Sequence, residues 1–170
     1  MPDTMDKRWL VFYTRPRTEK KAEQRLLDRG HHVLVPKAEE IHQWSDRKKK
    51  VIVPLFRGYL FAQVDEHKRI DVLQSPEIVC DIKFGGKPAV LQPQEVENLS
   101  IIQHKPDFLE PVEAPIPPVG SEVKIEEGPF NGLAGEVTEI NNTTYLIVRV
   151  KAIGQAARVR LPAASVKLTG

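Results

Sequence analysis

Two kinds of side chain in this 170-residue chain are placed to do chemistry: clustered cations, and aromatics on strands that are apolar on both faces. Arg15, Arg17, Lys20, Lys21 and Arg25 lie close together, and Lys21 and Arg25 stand one helical turn apart on one side of a helix. Such a face can sit beside phosphates, or it can simply be solvated. Arg47-Lys-Lys-Lys50 is the densest charge run and falls near a hairpin tip, where it can touch a partner or protect a strand edge. The residues offer no basis for catalysis. No Gly-rich phosphate loop, Ser/His/Asp order or spaced carboxylate pair occurs. His31 and His32 are adjacent and so point apart in a strand, and Cys80 has no second thiol at metal spacing. The expectations are a buried Cys80, surface histidines, no metal and no cofactor.

The aromatics raise a different question. Trp9-Leu-Val-Phe-Tyr13 is apolar on both faces. Across Leu55–Val64, Phe56, Leu60, Ala62 and Val64 share one parity, while Leu55, Tyr59 and Phe61 share the other. A sheet of about four strands with two or three short helices covers one face only. The residues leave two readings open for Tyr13, Tyr59 and Phe61: ordinary core, or a face awaiting a partner.

These residues need a scaffold, and composition bounds it. The chain is 28% charged and 41% hydrophobic, with a net charge of +2, too small to announce a nucleic-acid partner. The charge is uneven: +4 over residues 1–105 and −2 over 106–170. One cysteine excludes an intrachain disulfide framework, and no secretory or membrane-spanning run appears, so the expected setting is the cytoplasm, without membrane contact. Five prolines between 106 and 118 mark a semi-rigid spacer. The expected division is a first domain over 7–105, a linker over 106–118 and a second domain over 119–170.

Strand and helix signals alternate in the first part. After the Trp9 strand, Thr18 is the expected N-cap of a helix carrying Ala22, Leu26 and Leu27, and Gly30 ends it. Short strands follow at Val33–Val35, Val51–Val53 and Leu55–Val64. A second helix is expected over part of Lys68–Gln74 or slightly earlier, then a strand over Ile78–Phe84, a Gly85-Gly86 turn, and a third helix over Gln94–Gln103. In the second part five short strands are expected, around Val123/Ile125, Val137, Tyr145–Val150, Arg158–Leu161 and Val166/Leu168, with turns at Asn141-Asn142 and Gly154. The class is α+β: an antiparallel sheet with flanking helices, then a small all-β barrel. Gly128-Pro-Phe-Asn-Gly-Leu-Ala-Gly-Glu-Val137 fits that barrel, its glycines punctuating one aromatic plug, Phe130. Glycines 128, 132, 135 and 154 would each cost a helix about 1 kcal/mol relative to Ala. This segment is therefore expected to be β in every state.

The Gly128–Val137 stretch resembles the KOW motif, through Gly128, Phe130, Gly132 and Gly135. With Trp9–Tyr13, the basic helix, Pro54-Leu-Phe-Arg-Gly-Tyr-Leu-Phe61 and Lys83-Phe-Gly-Gly-Lys-Pro88 in the same order, the chain resembles the NusG family of transcription elongation factors, an NGN domain joined to a KOW barrel. The pattern is most similar to specialised RfaH/UpxY-like, operon-specific antiterminators. One departure is Arg57-Gly-Tyr59, where the family usually has Pro-Gly-Tyr. The resemblance implies a monomer that is not an enzyme. It implies RNA polymerase binding, at the β′ clamp helices, by Tyr13, Phe56, Tyr59 and Phe61, and contacts to non-template DNA by Arg15, Lys21, Arg25 and Gln74. For the barrel it implies a small-subunit ribosomal protein or Rho as partner. The alternatives are a housekeeping factor of the same family and, from another class, a KOW-containing RNA-binding ribosomal protein.

Overall fold

The computed structural model describes residues 7–111, 122–140, 143–161 and 168–169. The Asn141-Asn142 turn, the linker beyond residue 111 and Val166 lie outside them. Two units emerge from the contacts: Met1–Val35 with Phe56–Gln92, and Pro36–Leu55 with Pro93–Gly170.

The first unit is a four-stranded antiparallel sheet with two helices. Strand β1 (Arg8–Thr14) pairs with β5 (Tyr59–Val64) on one side and β6 (Ile78–Asp81) on the other, and β2 (His32–Leu34) adds to β5, giving the order β2-β5-β1-β6. Helix α1 (Glu19–Asp28) follows β1, and α2 (Glu66–Leu73) follows β5. Period-two alternation sorts the sheet residues. Leu10, Phe12, Leu60, Ala62 and Val64 pack with Ala22 and Leu26 of α1 and Val72 of α2 into one core. Val11 and Phe61 on the opposite face are fully buried as well, so the sheet is apolar on both sides as the residues indicate. A small hairpin, β7 (Lys83–Phe84) and β8 (Lys87–Pro88), turns at Gly85-Gly86.

Local signals explain the helix ends. Asp65 caps α2, its Oδ1 accepting from the Lys68 N–H at 2.8 Å. Thr18 stands at the N-cap position of α1, but its hydroxyl turns back to donate to the Arg15 carbonyl at 2.7 Å and makes no cap bond. Helix α1 ends at Gly30, whose N–H donates to the Leu27 carbonyl at 3.0 Å. Asp71 of α2 then ties the segment after α1. It accepts from His31 Nε2 at 2.6 Å and pairs with Arg29. His31 is buried and His32 exposed; the two do point apart, but His31 corrects the expectation that both lie at the surface.

The second unit holds a β-hairpin, β3 (Lys37–Gln43) and β4 (Lys48–Pro54), helix α3 (Pro93–Ile102), and a six-stranded antiparallel sheet. That barrel-like sheet runs β14 (Leu168–Thr169), β10 (Glu122–Ile125), β11 (Ala134–Ile140), β12 (Thr143–Val150), β13 (Gln155–Arg160), β9 (Leu109–Pro111). Strand β9 comes from within the proline-rich stretch. Pro111 is tolerated there because β9 is an edge strand. Leu146, Val148 and Val150 of β12 are buried with Ile125, Phe130, Leu133 and Val159, and Phe130 meets Phe108 edge to face at 5.4 Å. At Gly135 a Cβ would lie 2.3 Å from the Ile147 carbonyl oxygen, so only glycine admits this approach of β11 to β12.

Helix α3 buries Glu95, Asn98, Leu99 and Ile102, a stripe at helical spacing with two polar members. The polar pair is spent on backbone groups of the C-terminal segment. Asn98 takes both groups of Ala134, donating to its carbonyl at 2.9 Å and accepting from its N–H at 3.0 Å. Gln94 donates to the Gly132 carbonyl at 3.2 Å, and Glu95 accepts from the Lys151 N–H at 2.9 Å. These bonds satisfy backbone groups at the start of β11, in the turn before it and in the turn after β12, and they tie α3 to the C-terminal strands.

The Asp71 carboxyl is held below its ordinary value, chiefly by the His31 hydrogen bond and further by the charge of Arg29. A value lower in the folded than in the unfolded state gives stability that is complete above about pH 4 and lost as the pH falls through the folded value. Urea denaturation should therefore find Asp71→Asn less stable than wild type at pH 7, with the gap closing as the pH falls below about 4. A gap that stays constant down to pH 2 would remove Asp71 from the acid response.

Candidate functional site

The exposed end of the β1–β5 pair is built around Gly58. Its φ is +88°, and a Cβ there would meet Tyr13 Cε2 at 3.3 Å, so glycine serves both the turn and the ring beside it. The Gly58 N–H donates to Glu19 Oε2 at 3.0 Å, and its carbonyl accepts from the Thr14 N–H at 2.8 Å. Glu19 is buried, so the turn, the end of β1 and the start of α1 are fixed to one another. Arg57, the departure from the usual Pro-Gly-Tyr, is exposed and leaves this turn intact.

Tyr13 and Tyr59 are cross-strand partners, their rings edge to face with centroids 5.8 Å apart. Tyr13 is 40% exposed and Tyr59 half-buried. Phe56 and Phe61 do not reach the surface. They pack edge to face at 6.0 Å and are buried. Of the four aromatics, two present rings outward and two lie in the interior. Strand β6 extends the strip with Cys80, the partner of Tyr13 in register. Cys80 is exposed, which corrects the expectation of a buried thiol, because β6 turns Ile78 and Asp81 inward and leaves Val79 and Cys80 outside.

The basic residues converge in a way their spacing does not reveal. Arg15 Nε donates to the Pro76 carbonyl at 2.9 Å, and Arg25 Nε to Glu77 Oε1 at 2.6 Å. Glu77 is buried, so its carboxylate is turned inward and paired with Arg25. Gln74, at the C-cap of α2, is exposed two residues before Pro76. The structure thus brings Arg15, Arg25 and Gln74 to one short segment, and Arg25 keeps 42% of its side chain exposed. Lys21 is exposed on the same helix and lines a shallow depression with Gln24, Arg25, Asp28 and Arg29. The Arg25–Glu77 pair joins residues 52 apart, and nothing in the local pattern signals it.

The KOW residues occupy the turn between β10 and β11. Gly128 and Gly132 have φ of +86° and +96°, Phe130 is the buried plug, and Gly135 is the point of closest strand approach. Among the described residues no group of three His, Cys, Asp or Glu is placed to hold a metal ion, and no helix is long and apolar enough to cross a membrane.

Comparison with known proteins agrees with this architecture. Residues 7–100 match the family described as transcription termination factor nusG. The transcription termination/antitermination protein NusG of Thermus thermophilus is 30% identical over 154 residues, covering 78% of this chain and 82% of that protein. Its Staphylococcus epidermidis counterpart is 28% identical over 171 residues, covering 91% and 92%. A solved structure on domain interaction in Thermotoga maritima NusG superposes with a TM-score of 0.52 at 22% identity, covering 97% of this chain and 98% of that one, a likeness of fold. A family match over more than half of the chain and a relative at 30% identity, on a scaffold already recognisable from its turn at Gly58 and its glycine motif at 128–135, place this chain in the NusG family of transcription termination and antitermination factors.

Proposed function

We propose that this factor binds RNA polymerase through the Tyr13–Tyr59 pair and promotes read-through of particular operons. The observation that carries the reading is the exposed, edge-packed tyrosine pair on a rigid sheet, fixed from below by Gly58 and Glu19. Preorganised aromatics lose little freedom on docking and are the residue type that dominates interface energetics. The family resemblance supplies the partner, the clamp helices of the β′ subunit. By bridging the polymerase cleft the factor would hold the clamp closed and raise the cost of the rearrangements that lead to pausing.

Beside this surface, Arg15, Lys21, Arg25 and Gln74 are assigned to non-template DNA. The cations take phosphates and the Gln74 amide, with its donor and acceptor, reads a base edge. The barrel is assigned to a second partner, a small-subunit ribosomal protein or Rho. The operon-specific reading rests on the similarity to specialised members of the family and on the exposed Gln74.

Tyr13→Ala and Tyr59→Ala should each weaken binding to core polymerase by roughly 30-fold or more, the equivalent of ~2 kcal/mol for an aromatic anchor, without moving the thermal midpoint by more than a few degrees. Phe61→Ala is the contrasting control. It empties a buried site and should cost about 3–5 kcal/mol of stability. Unchanged polymerase affinity in both tyrosine variants would end the assignment.

Lys21→Ala and Gln74→Ala should weaken association with a bubble-containing elongation complex and leave binding to isolated clamp helices unchanged. Each phosphate contact removed should lower the log–log salt slope by roughly 0.7–0.9, so Lys21→Ala changes the slope and Gln74→Ala does not. Arg25→Ala is a poorer probe because it strands the buried Glu77 carboxylate. Equal losses in both binding assays would place these residues against protein.

Deleting the gene and mapping transcripts tests the specialised role. The expected result is loss of distal reads confined to a few long operons. A genome-wide change in termination, or lethality, would establish the housekeeping role instead.

A further inference from the structure

The β3–β4 hairpin carries a group of side chains that neither the polymerase surface nor the basic helix uses. Its root is packed: Ala38 is fully buried, and β3 lies against β9 and the turn at Pro106–Phe108. Its tip is not. The strands close in a two-residue loop, Ser45-Asp46, with the Trp44 N–H donating to the Arg47 carbonyl at 2.8 Å. Trp44 is 43% exposed, an unusual placement for the largest apolar side chain in a soluble protein. Two cations lie over its ring, the Arg47 guanidinium at 5.4 Å and the Lys49 ammonium at 5.5 Å from the centroid. The register explains the grouping: His42 faces Lys49, and Trp44 closes against Arg47, so all four share one face of the ribbon. The other face carries Lys48, Lys50 and Ile41, the last 66% exposed. Between residues 41 and 50 there are four cations and a single carboxylate, Asp46.

From this tip we propose that the hairpin is a binding site for single-stranded RNA. Charge complementarity selects a polyanion, and the exposed indole selects one with unpaired bases. An aromatic ring bordered by Arg and Lys is the combination that stacks a base while the cations hold the adjoining phosphates. A duplex offers phosphates and no ring face, and would leave Trp44 without a role. The apex residues favour RNA over DNA. Ser45 and Asp46, exposed in the turn that follows Trp44, carry acceptors, and a 2′-hydroxyl is the sugar donor that RNA has and DNA lacks. The site goes beyond the polymerase and DNA contacts assigned above and does not depend on them.

The test uses the full-length protein and three fluorescein-labelled probes: a 12-nucleotide oligouridylate RNA, the DNA of the same length and base sequence, and a blunt RNA duplex. Fluorescence anisotropy should rank them RNA first, DNA second and duplex last. Trp44→Ala should weaken RNA binding by roughly five- to a hundred-fold, the effect of losing one stacked base, while Trp44→Phe, which keeps a ring, should retain most of it. Arg47→Ala and Lys49→Ala should each lower the salt slope by about 0.7. Asp46→Ala should narrow the preference for RNA over DNA. Circular dichroism and polymerase pull-down on each variant confirm an unchanged fold and intact tyrosine surface. Equal binding by wild type and Trp44→Ala, or a duplex bound as tightly as the single strand, would overturn the stacking site. Equal affinity for RNA and DNA would overturn the choice of RNA.

Discussion

The peptide around Gly58 is the constraint on which the first unit depends. Its N–H is bound by a buried carboxylate, Glu19, and its carbonyl by the Thr14 N–H. Those two bonds join the end of β1, the first residue of α1 and the entry to β5. A hydrogen bond to a charged group is worth about 1.5–3 kcal/mol, and leaving the buried carboxylate unpaired would cost more than the bond itself. The positive φ at Gly58 and the approach of the Tyr13 ring make any other residue there strained. The tyrosine pair is therefore set by backbone and a buried charge, not by its own packing. That leaves Tyr13 exposed and Tyr59 half-buried in one edge-to-face arrangement.

In the second unit the same economy of backbone groups appears at a helix. Asn98 stands in for a strand, giving Ala134 one acceptor and one donor with a single amide side chain. A buried amide so engaged is neutral or better, whereas an apolar side chain in its place would orphan both strand groups. Glu95 plays the corresponding part for Lys151. The barrel-like sheet also carries an internal ion pair, Arg149 to the buried Glu136 at 2.9 Å, and two cation–aromatic contacts, Arg158 on Tyr145 and Arg160 on Phe108. The arginines here brace strands.

How legible this was in the residues depends on range. Helices α1, α2 and α3 lie close to where periodicity and breakers put them, because Gly30 and Pro93 act locally. The five C-terminal strands follow from β-branched runs and glycine turns, and the two-faced apolar character of β1 and β5 follows from alternation. What failed involved partners distant in sequence. The Arg25–Glu77 and His31–Asp71 pairs span 52 and 40 residues, and each reverses a local expectation about exposure or charge. Thr18 is the right type at the right position, yet its hydroxyl finds Arg15 first. Strand β9 was hidden because proline reads as a breaker unless one knows that the strand is at an edge. The alternation within 55–64 marked Phe61 and Tyr59 as one face. It could not show that burial changes along that face, from fully covered at Phe61 to half-buried at Tyr59.

A net charge of +2 is a sum that hides how the charges are placed. Charges in this chain divide by role. Arg25, Arg29, Arg69 and Arg149 are each held by a carboxylate: Glu77, Asp71, Asp81 and Glu136. For Arg69 the Asp81 hydrogen bond raises the affinity for its proton further. Such pairs add equally to both sides of the charge count and contribute little field at a distance, since opposite charges a few ångströms apart cancel beyond a Debye length of about 8 Å. The lysines at 21, 48, 49 and 50 are exposed, and they are what an approaching polyanion meets. Arginine suits the first task because its planar fork fits a carboxylate, and lysine the second because its strongly hydrated ammonium resists burial. Apart from these pairs, the exposed lysines at 21 and 48–50 fall on α1 and at the β3–β4 tip.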